Sequence, residues 1–299
     1  MTMLSTVARQ ELLASRRNRA PQFLIVMFIA MVAVSAMIGW LTNTTVSDVY
    51  RQVLAEGYTD QPNPFDSIAQ LYYAHNTVIY VVLIGSLMAI ALGVQSALRD
   101  RKASTADLVL TRPIRVKTLL AGRLLGIAVL LAAVVALGMV ITWATISVIN
   151  GGPLGVSPTV RLVAFGGLTW VFLCGFAVSG VLAGVYIKRE TTALLVPFVA
   201  WAVVVFVLPQ LGTAARPVSL LNPVALPPQT TGIFHWLSYV TSPLSIGENF
   251  KTASSGVLDA PLSAFPWASA AVVSVFMIIA VVVVVLFTPA AKLRGGAYE

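Results

Sequence analysis

Charge is what this chain has least of. Only 10% of its 299 residues are Asp, Glu, Lys or Arg, where a soluble domain carries about a quarter. Six long stretches hold no ionisable Asp, Glu, Lys, Arg or His: Phe23–Leu41, Val78–Leu98, Leu124–Ile149, Leu162–Ile187, Ala193–Leu211 and Trp267–Thr288. Each is long enough to cross a hydrocarbon core, which takes about 20 apolar residues. A chain that moves ions or protons unaided places ionisable groups at membrane depth. Uncharged spans argue against that class and put the energy source on another polypeptide. Cysteine is nearly absent too. The single Cys174 excludes an internal disulfide and leaves the redox compartment unread. No Gly-x-x-x-x-Gly-Lys-[Ser/Thr] loop is present, so the chain binds no nucleotide by that device. The two histidines, His75 and His235, have no zinc-type spacing. A soft-metal site built from them with Asp66 or Glu248 stands beside the plainer reading of two interfacial residues. Met27, Met31 and Met37 fall on one apolar helix and read as packing rather than a metal ladder.

What is present is apolar. Hydrophobic residues make up 58% of the chain, and mean hydropathy is +0.89. The expected fold class is all-α, a polytopic membrane protein with six transmembrane helices in a single transmembrane domain over 1–299. The first stretch is too long and too late for a cleaved signal and reads as retained. The net charge of +8 is placed unevenly. With the N-terminus inside, segments 1–22, 99–123, 188–191 and 289–299 hold 15 of the 19 basic residues, leaving Arg51, Arg161, Arg216 and Lys251 outside. That asymmetry predicts an N-in, C-in, multi-pass protein of the cytoplasmic membrane. Basic charge beside a bilayer serves topology and anionic lipid, so membrane lipid is a partner and nucleic acid is not.

Between the spans the chain is organised. Residues 1–20 predict an interfacial helix, with Leu4, Val7, Ala8 and Leu12 on one side, Arg9, Arg16 and Arg17 on another, and Glu11 interrupting the apolar face. Pro21 marks the bend into span one. The loop Thr42–Asn76 has room for one short helix over Ser47–Ala55. The inner segment 99–123 is basic yet keeps the apolar run Leu108-Val109-Leu110. Ser104-Thr105-Ala106-Asp107 fits a capping box directly before that run. Pro113 then interrupts the helix, and a new helix merges into span three. Spans four and five are joined only by Lys188–Thr191, which makes them antiparallel neighbours. Gly175, Ser179, Gly180 and Gly184 let span four approach another helix closely, with packing inside the chain favoured over a dimer seam. Pro197 predicts a kink in span five. Residues 212–266 are proline-rich, apolar and extracytoplasmic. They read as short re-entrant or interface-lying helices, because bare backbone is not tolerated in lipid.

These features resemble the permease subunits of type-2 ABC exporters. Ala8-Arg9-Gln10-Glu11 followed by Arg17-Asn18-Arg19 resembles the interfacial helix that opens such subunits. Asp100, Thr105, Leu108-Val109-Leu110, Thr111-Arg112-Pro113-Ile114-Arg115 and Gly122-Arg123 resemble the family's inner segment after span two. Leu221-Asn222-Pro223 after span five also fits. The nearest subgroup is the one that includes the permease of the nitrous-oxide-reductase maturation exporter. This chain departs from it at Asp100-Arg101-Lys102, Ser104 and Ala106-Asp107.

The resemblance implies function. It implies a short cytoplasmic helix that docks in a groove of an ABC ATPase subunit. It assigns ATPase coupling to Asp100, Ser104, Thr105, Asp107, Leu108, Val109, Leu110, Arg112, Pro113 and Arg115. It assigns the N-terminal interfacial helix to Arg9, Glu11, Arg17 and Arg19. It also implies two ATPase copies that carry ATP and Mg, no cofactor on this chain, and a second permease copy or sister permease. Two rivals stand against it. A membrane-embedded enzyme would need catalytic groups lining a cavity, and the spans offer only scattered Ser, Thr, Trp and Cys174. A secondary transporter would need coupling groups on broken helices in repeated halves, and spans one to three show no convincing repeat in four to six.

Overall fold

The computed structural model describes residues 3–17, 19–59, 61, 70–102, 116–213, 222–259 and 265–288. Among them the fold is helical. Helix α1 (Met3–Arg17) precedes α2 (Arg19–Ala55), the first span. The second span joins α3 (His75–Tyr80), a π-turn over Val81–Gly85 and α4 (Ser86–Lys102). Spans three and four are α5 (Val116–Ile149) and α6 (Val156–Tyr186). Span five runs through α7 (Glu190–Ala202), a second π-turn over Val203–Val207 and α8 (Leu208–Gly212). A helical hairpin, α9 (Gly232–Leu244) and α10 (Ile246–Asp259), leads to the last span, α11 (Trp267–Phe287). Six of these helical stretches are long and apolar enough to cross a membrane.

The helix ends sort into two sets. At one end Glu11 meets Arg99, Gly184 packs on Ala97, and the Tyr186 hydroxyl donates to the Phe287 carbonyl at 3.1 Å. At the other, Tyr73 donates to Asn43 Oδ1 at 2.7 Å, His75 meets Asp259, and the Trp143 indole N–H reaches Thr159. The expected alternation of six crossings requires this sorting.

Span one is longer than the apolar run that announces it. The short helix expected over Ser47–Ala55 is not separate. It is the last part of α2, which runs for 37 residues, about 55 Å at 1.5 Å per residue. No proline interrupts the polar continuation, so the helix carries on to Gly57. There the Tyr58 N–H donates to Val53 O and the Gly57 N–H to Leu54 O, both at 3.1 Å, with Gly57 at φ +74. This is the left-handed helix stop that glycine adopts without a Cβ clash. Gly151, at φ +66, ends span three in the same way.

The centre of the bundle is the pair α4 and α6. A Cβ on Gly93 would lie 2.0 Å from the Ala177 carbonyl oxygen, and one on Gly180 would lie 2.3 Å from that of Ile90. Gly184 meets Ala97 and Val94 in the same seam, while Gly175 faces Phe276 of α11. The small residues of span four therefore serve packing inside the chain. In lipid such backbone contact matters because van der Waals packing replaces the hydrophobic drive of water. Pro197 lies inside α7, and the π-turn begins six residues later at Val203. An apolar groove of about 500 Å³ runs beside it, lined by Tyr186, Pro197, Trp201 and Phe276.

The α9–α10 hairpin dips into the bundle. Phe250 stacks on Phe172 with ring centroids 4.3 Å apart, and Phe172 is about 24 Å along α6 from Val156. Gly247 packs on Val205 of the second π-turn. From sequence this region reads as re-entrant or interface-lying short helices, and α9 and α10 pack against spans four and five through these contacts. Helix α9 is amphipathic in the inverse sense. Ile233, Trp236, Tyr239 and Val240 are exposed, whereas Ser238 and Thr241 are buried. An apolar outer face and a hydroxylated inner face suit a helix with hydrocarbon outside and protein within.

Candidate functional site

The sequence-predicted coupling segment is bracketed by two well-packed helix ends. Asp100 lies in α4, just past Arg99. Ser104, Thr105, Asp107, Leu108, Val109, Leu110, Arg112, Pro113 and Arg115 lie outside the described residues. The segment leaves the last turn of α4 and re-enters at the first turn of α5.

Between these ends sits a buried charge cluster. Arg99 Nη1 donates to Glu11 Oε2 at 3.1 Å. The Glu11 side chain is 7% exposed and that of Arg99 30%. Arg123, about two turns into α5, is buried and interacts electrostatically with both. One carboxylate from α1 therefore faces two guanidiniums, one from each helix that carries the coupling segment. Such a charge is buried only where it is paired and hydrogen-bonded. Backbone packing holds α1 in place beside the charges. A Cβ on Gly126 would lie 2.6 Å from Glu11 Cβ and 3.0 Å from the Ala8 carbonyl oxygen. Only glycine lets α1 come that close to span three.

This revises the reading of α1. Glu11 does not interrupt a lipid-facing stripe. It lies on the packed face with Ala8 and Ser15, because that face meets protein bearing two arginines. Arg9 and Arg19 are exposed, and only the backbone of Arg17, the last residue of α1, is described. Of the three of these four residues whose side chains are described, Glu11 alone enters the cluster. In the sequence Arg99 reads as a topology charge alone and Arg123 as a topology charge and part of the Gly122-Arg123 resemblance, with no link to Glu11. The signal that could have separated them was the lone acidic residue of the first 47, next to a basic membrane edge.

The opposite end has its own polar fastenings. His75 Nε2 and Asp259 Oδ1 are 2.7 Å apart. Arg161 Nε donates to the Val257 carbonyl at 2.7 Å, and its Nη2 donates to the Leu258 carbonyl. Those carbonyls belong to the last turn of α10, where helical oxygens lack intrahelical donors. The guanidinium satisfies them and complements the negative end of the helix dipole. His75 and Arg161 thus pin the hairpin to spans two and four. His235 Nδ1 instead pairs with the Gln229 carbonyl at 3.0 Å, and Glu248 with Lys251 at 2.8 Å. Asp66 lies outside the described residues. Among those described, no three His, Cys, Asp or Glu side chains converge as a metal site would need.

The sequence profile of ABC-2 family transporter proteins matches residues 5–290. The chain belongs to the ABC-2 transporter family. No curated protein matches it. The match begins inside α1 and ends beyond α11, so α1 and all six spans belong to this ABC-2 permease unit. ABC-2 permeases are membrane subunits of ABC transporters and associate with an ABC ATPase subunit. Membership sets aside both the membrane-embedded enzyme and the secondary transporter.

Proposed function

We propose that this ABC-2 permease is the membrane subunit of an ATP-driven exporter of the cytoplasmic membrane. The N-terminus, the 99–123 segment and the C-terminus face the cytoplasm. Two permeases, two copies of this chain or one with a sister subunit, bind two copies of a separate ATPase that carries ATP and Mg. Within the exporters, its resemblance over Asp100 to Arg123 supports the subgroup that includes the nitrous-oxide-reductase maturation permease.

The observation that carries this reading is the Glu11–Arg99–Arg123 cluster. A docking segment transmits force only if its ends are stiff. Arg99 and Arg123 stand at the two ends of the 99–123 segment, and Glu11 ties both to α1. Movement of the bound ATPase then shifts α4, α5 and α1 as a unit. Because α4 packs backbone to backbone on α6, the shift reaches the bundle centre. The work is a change of conformational populations, driven by differential affinity of the ATPase for the two states; no covalent chemistry occurs on this chain.

The test is reconstitution. Purified permease in liposomes turns over no ATP by itself and acquires ATP-dependent transport when its ATPase is added. ATP turnover by the permease alone would sink the proposal.

A further inference from the structure

We propose that the groove between α7 and α11 holds one acyl chain of an anionic phospholipid, with its headgroup at Lys188 and Arg189. Both helices pack on α6, which forms the floor. The small side chains of Ser179, Ala183 and Ala200 hollow the groove, and Pro197, Trp201 and Phe276 stand around them. Its polar hydrogens are spent or enclosed. The Ser179 and Tyr186 hydroxyls donate to the Phe176 and Phe287 carbonyls at 2.7 and 3.1 Å. The Trp201 indole nitrogen is buried and does not reach the groove surface. A guest here meets a hydrocarbon wall.

Shape sets the kind of guest. Along α6 the lining runs from Phe176 to Ile187, about 16 Å at 1.5 Å per residue. One leaflet of the hydrocarbon core is about 15 Å thick, half of about 30 Å. The groove therefore runs from one membrane edge to the neighbourhood of the bilayer midplane, which is the reach of one acyl chain. A second helix is too wide. A cylinder about 10 Å across over that length occupies ~1,250 Å³, more than twice the groove's volume of about 500 Å³. Lipid tails are as apolar as the wall, so a tail enters without a hydrophobic gain over the bilayer. Selectivity falls on the headgroup.

Charge sets the headgroup. Lys188 and Arg189 follow Ile187 directly and are exposed, with Glu190 beside them. Basic residues between membrane helices at a membrane edge attract anionic headgroups. Each contributes about a five-fold preference, from about 1 kcal/mol per residue at about 1.4 kcal/mol per factor of ten. Glu190 offsets one of the two, which leaves about five-fold for an anionic over a zwitterionic lipid. Arg189 is also the N-cap residue of α7, and its side chain makes no capping bond. The positive end of that helix dipole lies at the same edge. The site rests on membrane embedding alone. It depends neither on which edge faces the cytoplasm nor on the exporter reading, and it can fail without them.

The experiment uses the full chain purified in detergent and titrated with dioleoyl phosphatidylglycerol or dioleoyl phosphatidylcholine, with native mass spectrometry counting the retained lipids. The first phosphatidylglycerol binds about five-fold tighter than the first phosphatidylcholine. Ala200→Phe fills the groove from an exposed position and weakens that first binding at least ten-fold for both lipids. Val199→Phe, exposed and outside the lining, leaves it unchanged. Lys188→Gln with Arg189→Gln keeps the lipid and removes the preference. If Ala200→Phe does not insert, the smaller Ala200→Leu gives the same direction of change. Equal affinity for the two lipids, full binding by the filled variants, or a preference that survives loss of both cations would overturn the proposal. Dimers that exclude the lipid and dissociate in Ala200→Phe would also overturn it, and would assign the groove to a second copy of the chain.

Discussion

Replacing Glu11 by Gln isolates the electrostatic part of the α1 clasp. Glutamine has nearly the shape of glutamate, so packing at Gly126 is unchanged. What is lost is the charge-assisted bond from Arg99 at 3.1 Å and the only carboxylate shown facing Arg123. Hydrogen bonds to charged groups contribute about 1.5–3 kcal/mol. The burial of Glu11 keeps this pair toward that range, although the 30% exposure of Arg99 discounts it toward the lower end. The loss falls on the docking of α1, not on the membrane bundle, so it shows as local opening. At about 1.4 kcal/mol per factor of ten, α1 should detach roughly 10- to 100-fold more often. Trypsin cleavage at Arg9 and Arg16 reports this, since cleavage follows the open population when opening is fast. Gly126→Val should act the same way by steric displacement, and Gln10→Glu, on the exposed side of α1, should change little. Cleavage of Glu11→Gln at the wild-type rate would refute the reasoning.

Other outcomes follow from other parts of the fold. Ser104→Cys should be protected from an impermeant thiol reagent in intact cells, whereas Asn150→Cys, in the exposed turn after span three, should be labelled; the reverse pattern would invert the topology. Gly93→Val should abolish stable insertion or cost well beyond the 1–3 kcal/mol of ordinary overpacking, because its Cβ would lie 2.0 Å from the Ala177 carbonyl oxygen. Gly152→Val, with open space around it, should be tolerated, and accumulation of the two variants in membranes compares them directly.

The spans were legible because the hydrocarbon core imposes a length and forbids charge, and both constraints are written in composition. The close α4–α6 seam was half legible: the glycines of span four predict a close approach, but nothing in the sequence names Gly93 as the partner. The continuation of α2 to Ala55 was not legible, because polar residues carry no helical stripe once the helix leaves lipid. The π-turns at Val81–Gly85 and Val203–Val207 leave no mark in an all-apolar run. Glu11 shows the larger difficulty. A carboxylate on an amphipathic helix is a flaw if the helix faces lipid and a fastening if it faces Arg99 and Arg123, and only tertiary structure says which. The His75–Asp259 pair spans 184 residues of separation, beyond the reach of any local pattern.

The central claim is that the segment between Arg99 and Arg123 seats an ATPase on this permease. Its most direct measurement is co-purification of the ATPase with membrane-inserted variants. Burying one such apolar side chain contributes about 1.5–3 kcal/mol. Leu108→Asp with Leu110→Asp should therefore lose ten-fold or more of the bound ATPase while the permease still inserts. Arg101→Ala with Lys102→Ala should keep the ATPase if these charges lie on the rim of the contact, where an ion pair contributes about 0–1 kcal/mol. A double Asp variant that retains its full complement of ATPase would contradict the account.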